Sequence, residues 1–169
     1  MKLEEAQKIV DELLELLLSI SHGMVAVAGS VRRQKEEVND IDIIVLPKEP
    51  FMFEMTFITY LMDGTFKPML KKDGKPMIGP KIKSVIYKGV QVDIYVAEPE
   101  TWATLLLIRT GSKEHNIKLC TIAKEKGWKL HASGEGLFNE KRERIAGDTE
   151  TSIFEALGLE YVPPEEREV

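Results

Sequence analysis

The sequence predicts an α+β chain, and three observations carry that prediction. An amphipathic helical period opens the chain, two short β-branched runs flank a polar turn at 29–42, and a hairpin followed by an alternating strand leads into a helix-rich second half. A length of 169 residues suffices for one sizeable core or two small lobes sharing an interface.

Composition narrows the class further. Hydrophobic residues at 43% and charged residues at 30% are the proportions of a soluble globular protein rather than a disordered one. No segment reaches membrane-spanning length, so no membrane partner is expected. The apolar stretch Leu13 to Ile20 follows acids within a helical pattern, which argues against a signal peptide. Cys120 is alone, so no internal disulfide can form, and the expectation is a cytoplasmic or other reducing compartment. A net charge of -5 and a pI of about 5.4 exclude gripping nucleic acid by bulk charge. Charge is uneven, however. Lys67, Lys71, Lys72, Lys75, Lys81, Lys83 and Lys88 fall in a stretch whose only acid is Asp73, while Glu160, Glu165, Glu166 and Glu168 load the tail. That basic stretch reads equally as a set of phosphate contacts and as a solvated hairpin.

In chain order, residues 2–20 place Leu3, Ile9, Val10, Leu13, Leu14, Leu16, Leu17 and Ile20 at helical intervals, and Ser21-His22-Gly23 ends the helix. The runs 24–28 and 43–46 have the length and branching of buried strands. Between them Gly29 allows close backbone approach to a ligand, Ser30 adds a hydroxyl beside amides able to face an anion, and Arg33 can add a charge-assisted contact. Asp40 and Asp42 stand two residues apart as a strand begins, so both carboxylates project from one face, about 7 Å apart along the strand. Two such acids repel unless a cation lies between them, and a few carboxylate oxygens suit magnesium. Taken singly, Gly29-Ser30 is an ordinary helix cap and Asp40-Ile41-Asp42 a solvated strand start. Their joint placement between two buried strands favours a phosphate cradle facing a metal site.

Phe51 to Met62 reads as a helix whose methionines and aromatics are core. Thr65 to Leu70, a turn at 72–75 and Ile78 to Tyr87 suggest a hairpin, and Lys88-Gly89 turns into the strand 90–96. On that strand Asp93 and Gln91 face away from Val92 and Ile94. An acid in an apolar strand is costly unless paired, hydrogen-bonded or metal-bound, which makes Asp93 a third carboxylate for the Asp40/Asp42 pair. Glu98-Pro99-Glu100 opens a helix to about Arg109 with Trp102 as core, and Thr110-Gly111-Ser112 breaks it before a second helix over 113–126. Short strands at 128–131 and 136–138, a helix from Asp148-Thr149-Glu150 to Leu157-Gly158, and Pro163-Pro164 complete the chain.

Gly29-Ser30-x-Arg32-Arg33, then Asp40-x-Asp42, Asp93 on a later strand, and Thr110-Gly111-Ser112-Lys113-Glu114-His115-Asn116 resemble the family X DNA polymerases, the DNA polymerase β-like nucleotidyltransferases, in order and spacing. Glu155 to Leu159 and Pro163-Pro164-Glu165 resemble the family's C-terminal segment. The resemblance implies a nucleotidyltransferase palm, a mixed β-sheet with helices on one side, over 1–108. A small α/β thumb lobe would follow over 109–169. The family's lyase-like and helix-hairpin-helix domains have no counterpart in the sequence, so a minimal polymerase is expected.

By the same resemblance, Asp40 and Asp42 would hold two Mg²⁺ ions, with Mn²⁺ able to substitute, and Asp93 would complete the catalytic ion's shell beside a primer 3′-hydroxyl. Ser30 and Arg33 would bind the β- and γ-phosphates, Gly29 would let the turn approach them, and Arg32 would be structural. Gly111 and Ser112 would lie against the sugar, and Asn116 would reach the minor-groove edge of the incoming base. His115 is weighed between phosphate contact and structure. The implied partners are primer-template or gapped DNA and a deoxynucleoside triphosphate. Lys81, Lys83, Lys88, Lys113 and Lys118 are candidate DNA-phosphate contacts. Ile108-Arg109 replaces the aromatic pair that crowds the ribose 2′-position in the family, which extends the expectation to ribonucleotides. Cys120 stands where many members have a template-probing arginine, and Gln91 where they have a basic residue. The leading expectation is a template-directed gap-filling polymerase of repair or end joining. Its rivals are a template-independent terminal or small-substrate nucleotidyltransferase and a non-catalytic DNA-end-binding module.

Overall fold

A computed structural model describes residues 1–168. The first part of the chain runs α1 (Leu3–Ser21), β1 (Met24–Val27), α2 (Gly29–Arg32), β2 (Ile41–Leu46), α3 (Pro50–Met62), β3 (Lys67–Pro68), β4 (Ile82–Tyr87) and β5 (Val90–Val96). These strands form one five-stranded sheet in the order β1-β2-β5-β4-β3, mixed because β2 and β5 are parallel while every other neighbour is antiparallel. Helix α1 stops where His22 takes a left-handed φ of 52° and its N–H closes on the Leu18 carbonyl at 3.0 Å.

Period-two alternation decides which face does what. Ile41, Ile43, Val45, Val92 and Ile94 turn one way and pack against Val10, Leu13 and Leu17 of α1 and Phe53 and Phe57 of α3. Each of those fully buried side chains contributes about 2 kcal/mol. Asp42, Ile44, Asp93 and Tyr95 necessarily turn the other way. There Ile44, Tyr95 and Ala97 meet Leu105 of α4 (Trp102–Thr110), which crosses one end of that face and leaves the aspartate end open.

Two expectations change. The methionines and aromatics of α3 are not core as a set: Phe51, Met52, Met55 and Met62 are 74%, 59%, 49% and 83% exposed, because the helix presents only the Phe53/Phe57 stripe to the sheet. The lysine-rich segment is also not a plain hairpin. Lys67 and Pro68 pair directly with Ile86 and Val85, and 70–80 folds into its own turn, bridged at Leu70–Pro76 and Ile78–Lys83.

Beyond α4 come α5 (Lys113–Glu125), β6 (Lys129–His131), β7 (Gly136–Phe138), β8 (Arg144–Ala146), α6 (Glu150–Ala156) and a final 3₁₀ turn at Pro164–Glu166. The strands make a small antiparallel sheet, β6-β7-β8, with a second apolar core of Leu107, Leu119, Leu130, Leu137, Ile153 and Phe154. Strand β8 carries too few apolar residues, Ile145 and Ala146, to show a period, and it was not foreseen. Trp102 packs, partly buried, on the core beneath α4.

Between the two sheets stands Glu150. Arg32 donates Nη2 to its Oε1 at 2.6 Å and Nη1 to its Oε2 at 3.0 Å, and Arg167, fully buried, donates Nη1 to Oε2 at 2.7 Å. Burial would raise the Glu150 carboxyl, but the hydrogen bonds and charges of Arg32 and Arg167 outweigh it and hold the pKa low. Removing one partner of such a cluster strands a buried charge. Glu150→Ala is expected to cost about 3–5 kcal/mol in urea denaturation. A loss under about 1 kcal/mol, the scale of an exposed pair, would contradict this assignment.

Candidate active site

The open end of the sheet face looks into a cleft of about 760 Å³ walled by α2, the start of β2, and α5. Gly29, Ser30, Arg33, Asp40, Asp42, Gly111, Lys113 and Asn116 line it, so eight of the residues singled out from sequence meet there. Gly29 has φ +60°, and a Cβ at that position would run into the Asp42 carboxylate, so only glycine lets the turn pass this close. The preceding Ala28 N–H donates to the Asp42 carbonyl at 2.8 Å, which locks the turn to β2.

Asp93 is the register partner of Asp42 across the parallel β2/β5 ladder, so the two side chains leave the sheet side by side. They do not converge on one point with Asp40. Ser84 Oγ, from the next strand, donates to Asp93 Oδ1 at 2.6 Å and Gln91 Nε2 stands 3.4 Å from Oδ2, so that carboxylate is drawn toward β4. Tyr95 OH donates to Asp42 Oδ1 at 3.2 Å. Among the described residues no three acidic, histidine or cysteine side chains are gathered tightly enough to form a ready-made metal cage.

Their mutual repulsion is nevertheless visible. Burial, then the charges of Asp40 and Asp93, push the Asp42 carboxyl up to about 7, against the pull of the Tyr95 hydrogen bond and Arg109. Burial and Asp93 also raise Asp40. Burial and Asp42 raise the Tyr95 phenol, which therefore stays a donor.

The remaining candidates divide by geometry. Arg33 donates Nη1 to the Thr110 carbonyl at 2.6 Å, and a Cβ on Gly111 would press on that same nitrogen at 3.1 Å, so α2 and the 110–112 turn are in contact. Ser112 does not line the cleft; its Oγ accepts from the His115 N–H at 3.2 Å and caps α5. Asn116 donates Nδ2 to the Ile108 carbonyl at 2.8 Å. His115 is buried against Phe154, and burial followed by the charges of Arg167 and Lys118 lowers its pKa to about 4, so it is a neutral packing residue and not a phosphate contact.

Two of the proposed DNA lysines are corrected. Lys83 alternates onto the helix face of the sheet, wholly buried, where Nζ meets Glu54 at 2.9 Å and the Gly79 carbonyl at 2.6 Å. Lys88, at the β4–β5 turn, pairs with Glu12 of α1 at 2.6 Å, on the helix side of the sheet. Lys81 and Lys118 are exposed outside the cleft.

Sequence reading passed over Tyr95, Ser84 and Lys35, and it weighed Arg109 only as a replacement beside the sugar. Arg109 stacks over the Tyr95 ring with Cζ 4.3 Å from its centroid, its Nε is buried without a partner, and it lines the cleft with Lys35. Tyr95 was within reach of sequence, since it stands two residues after Asp93 on one strand face.

An acid whose folded pKa lies above its unfolded value of 3.8 destabilises the fold as it ionises: stability is whole below that value and is lost as pH rises through about 7. In metal-free protein, Asp42→Asn is therefore expected to stabilise near pH 8, by up to about 4 kcal/mol, and to change little near pH 4. Thermal melts at both pH values check this, and an equal shift at both would place the effect elsewhere.

Comparison with known proteins gives a consistent picture. The family described as DNA polymerase beta thumb matches residues 105–168. The DNA polymerase/3′-5′ exonuclease PolX of Bacillus subtilis is 30% identical over 96% of this chain, and the DNA-directed DNA/RNA polymerase mu of Homo sapiens is 41% identical over 48% of it. The chain spans only 28% and 16% of those two proteins. The repair DNA polymerase X of African swine fever virus is 26% identical over 90% of this chain and 86% of its own length. The fold matches Leishmania infantum polymerase beta, solved as a ternary P/T complex, with a TM-score of 0.80 over 100% of this chain and 77% of that one, at 22% identity. In sequence over nearly its whole length, and in fold, the chain is similar to the family X DNA polymerases.

Proposed function

We propose that this chain is a template-directed DNA polymerase, adding nucleotides to a primer 3′-hydroxyl in gap filling or end joining, with a palm over 1–108 and a thumb over 109–169. One observation carries the reading: Gly29, Ser30 and Arg33 form one wall of a cleft whose floor holds Asp40 and Asp42, with Asp93 in register beside them. The similar proteins, all named as polymerases, support the same chemistry.

The donor set fits magnesium. Carboxylate oxygens on one face, crowded enough to push Asp42 toward neutrality, favour a divalent cation with positions left for water and phosphate. Asp40 and Asp42 would hold two Mg²⁺ ions, with Mn²⁺ as substitute, and Asp93 would share the one nearer the primer. Bound there, such a pair activates the attacking hydroxyl and stabilises the departing pyrophosphate. The protein's own groups orient the reactants. Arg33, tied to the Thr110 carbonyl, keeps its Nε edge toward the cleft for phosphate, and Ser30 adds a hydroxyl donor. Gly111, and Ser112 through its backbone, set the turn the sugar lies against. Asn116 keeps one Nδ2 hydrogen beyond its bond to Ile108 and offers it to the minor-groove edge, where every base pair presents an acceptor, so it tests pair shape while the template supplies sequence. Lys81, Lys113 and Lys118 are left as DNA-phosphate contacts. With a single Cys120, the protein is suited to a reducing, cytoplasmic setting.

Incorporation on a gapped duplex, one nucleotide at a time opposite each template base, tests the reading. Base-directed addition in Mg²⁺ is expected, and addition blind to the template would establish a terminal transferase instead. Asp93→Ala is expected to lower kcat by about a thousandfold or more while triphosphate binding persists, on the scale of removing one charge-stabilising group. Wild-type turnover in that variant would remove Asp93 from the chemistry.

Sugar selection is expected to be weak. Ile108 is 8% exposed and Arg109 is committed to the Tyr95 ring, so neither presents an aromatic face to a 2′-hydroxyl, and the similar human protein is named a DNA/RNA polymerase. Values of kcat/KM for a deoxynucleotide and its ribonucleotide should agree within about tenfold; a preference of about a thousandfold would contradict this.

A further inference from the structure

Arg33 and Lys35 hold the same anion. Glu168 Oε1 lies 3.0 Å from Arg33 Nε, and its Oε2 lies 3.4 Å from Lys35 Nζ. Both cations line the candidate active-site cleft beside Gly29 and Asp40. Arg33 cannot swing freely toward another partner, because Nη1 is fixed on the Thr110 carbonyl at 2.6 Å, so its Nε edge is what it offers to an anion. Two cations placed one to each oxygen of a carboxylate form a seat that a phosphate group fits at least as well, since a terminal phosphate carries more charge and a further oxygen.

We propose that Lys35, together with Arg33, binds the terminal phosphate of the incoming nucleoside triphosphate, and that Glu168 fills this seat as the chain's own anion until the triphosphate displaces it. The proposal rests on the polymerase reading above and adds to it a binding residue and an internal competitor. Glu168 and Lys35 have side chains 39% and 46% exposed, so their pairing is screened and the carboxylate is easily displaced. The consequence is a selectivity for chain length of the phosphate. A triphosphate reaches the seat and must evict Glu168, whereas a nucleoside monophosphate ends short of it and is indifferent to both residues.

Equilibrium binding of a deoxynucleoside triphosphate and its monophosphate, in Mg²⁺ and without DNA, tests this on the full chain. Glu168→Gln is expected to tighten triphosphate binding by about threefold to fivefold, the range of an exposed ion pair, and to leave the monophosphate unchanged. Lys35→Ala is expected to weaken the triphosphate by about tenfold with no effect on the monophosphate, as loss of one charge-assisted contact would. In the Lys35→Ala background the gain from Glu168→Gln should shrink, because the two residues share one interaction. Unchanged or weaker triphosphate binding in Glu168→Gln overturns the proposal, as does a Lys35→Ala effect equal for both nucleotides. A wild-type protein that incorporates nucleotides while both variants behave like it overturns this inference alone. A wild-type protein that binds no triphosphate overturns the polymerase reading and this inference with it.

Discussion

The cleft depends on one buried carboxylate shared by two arginines. Glu150 belongs to the second sheet's half of the molecule, Arg32 to the turn between β1 and β2, and Arg167 to the end of the chain, so their contact draws three distant segments together. Arg32 also donates to Thr110 Oγ1 at 2.8 Å, and the Arg167 carbonyl accepts from the Ser112 N–H at 2.9 Å. The 110–112 turn is thus held from both sides, by the Arg32 guanidinium and by the backbone carbonyl of Arg167, the two residues whose side chains Glu150 neutralises. Without that carboxylate, two cations would face each other in a poorly hydrated gap. The repulsion would separate the walls that carry Arg33 and Asn116. The neighbouring Arg33, one residue from Arg32, lines the cleft instead and holds the Glu168 carboxylate on its Nε edge. Adjacent arginines therefore have opposite duties, the first to close the joint and the second to face the ligand.

The sheet does comparable work for the acids. The parallel β2/β5 pair puts Asp42 and Asp93 at the same height. The arrangement is costly for an apoprotein, and the chain offsets part of the cost with neutral donors. Ser84 satisfies Asp93 and Tyr95 satisfies Asp42, each from the strand face beside it. Hydroxyl donors relieve a carboxylate without cancelling its charge, so the negative potential that draws a cation survives. A lysine in either place would have quenched it. Arg109 comes nearest to doing so, and its position over the Tyr95 ring keeps the guanidinium stacked rather than paired with Asp42.

Much of this was legible in the residues themselves. Helix α1 and strands β2 and β5 could be read because their apolar periods are long and unbroken, and the aspartates because acids inside such strands require an explanation. The grouping of Gly29, Ser30, Arg33, Asp40 and Asp42 needed only local spacing. What failed was whatever depended on a partner distant in sequence. The outer face of α3 looks like core because Phe51, Met52, Met55 and Met62 are apolar, and no local pattern reveals that none of the described residues covers them. Lys83 looks like a surface cation because its neighbours are lysines, whereas its strand phase and Glu54 take it inside. The hydrogen-bond partner of Asp93 was not foreseen either, because Ser84 lies on a different strand. Each miss is a tertiary contact overriding a sound local inference.

Charge placement finally reconciles an acidic chain with the anionic substrate proposed for it. A net charge of -5 would repel nucleic acid if spread evenly. The lysines that suggested a basic platform are partly neutralised on the helix side, Lys83 by Glu54 and Lys88 by Glu12. Arg33, Lys35, Arg109, Lys113 and Lys124, by contrast, all border the one cleft that also holds Asp40 and Asp42. Five cations are thereby gathered at one concave region, whose low-dielectric walls strengthen their potential. A protein charged in this way gains little from sliding along duplex at large. It gains most where a phosphate can enter the cleft, at an end or a gap, which is the kind of DNA that the proposed chemistry consumes.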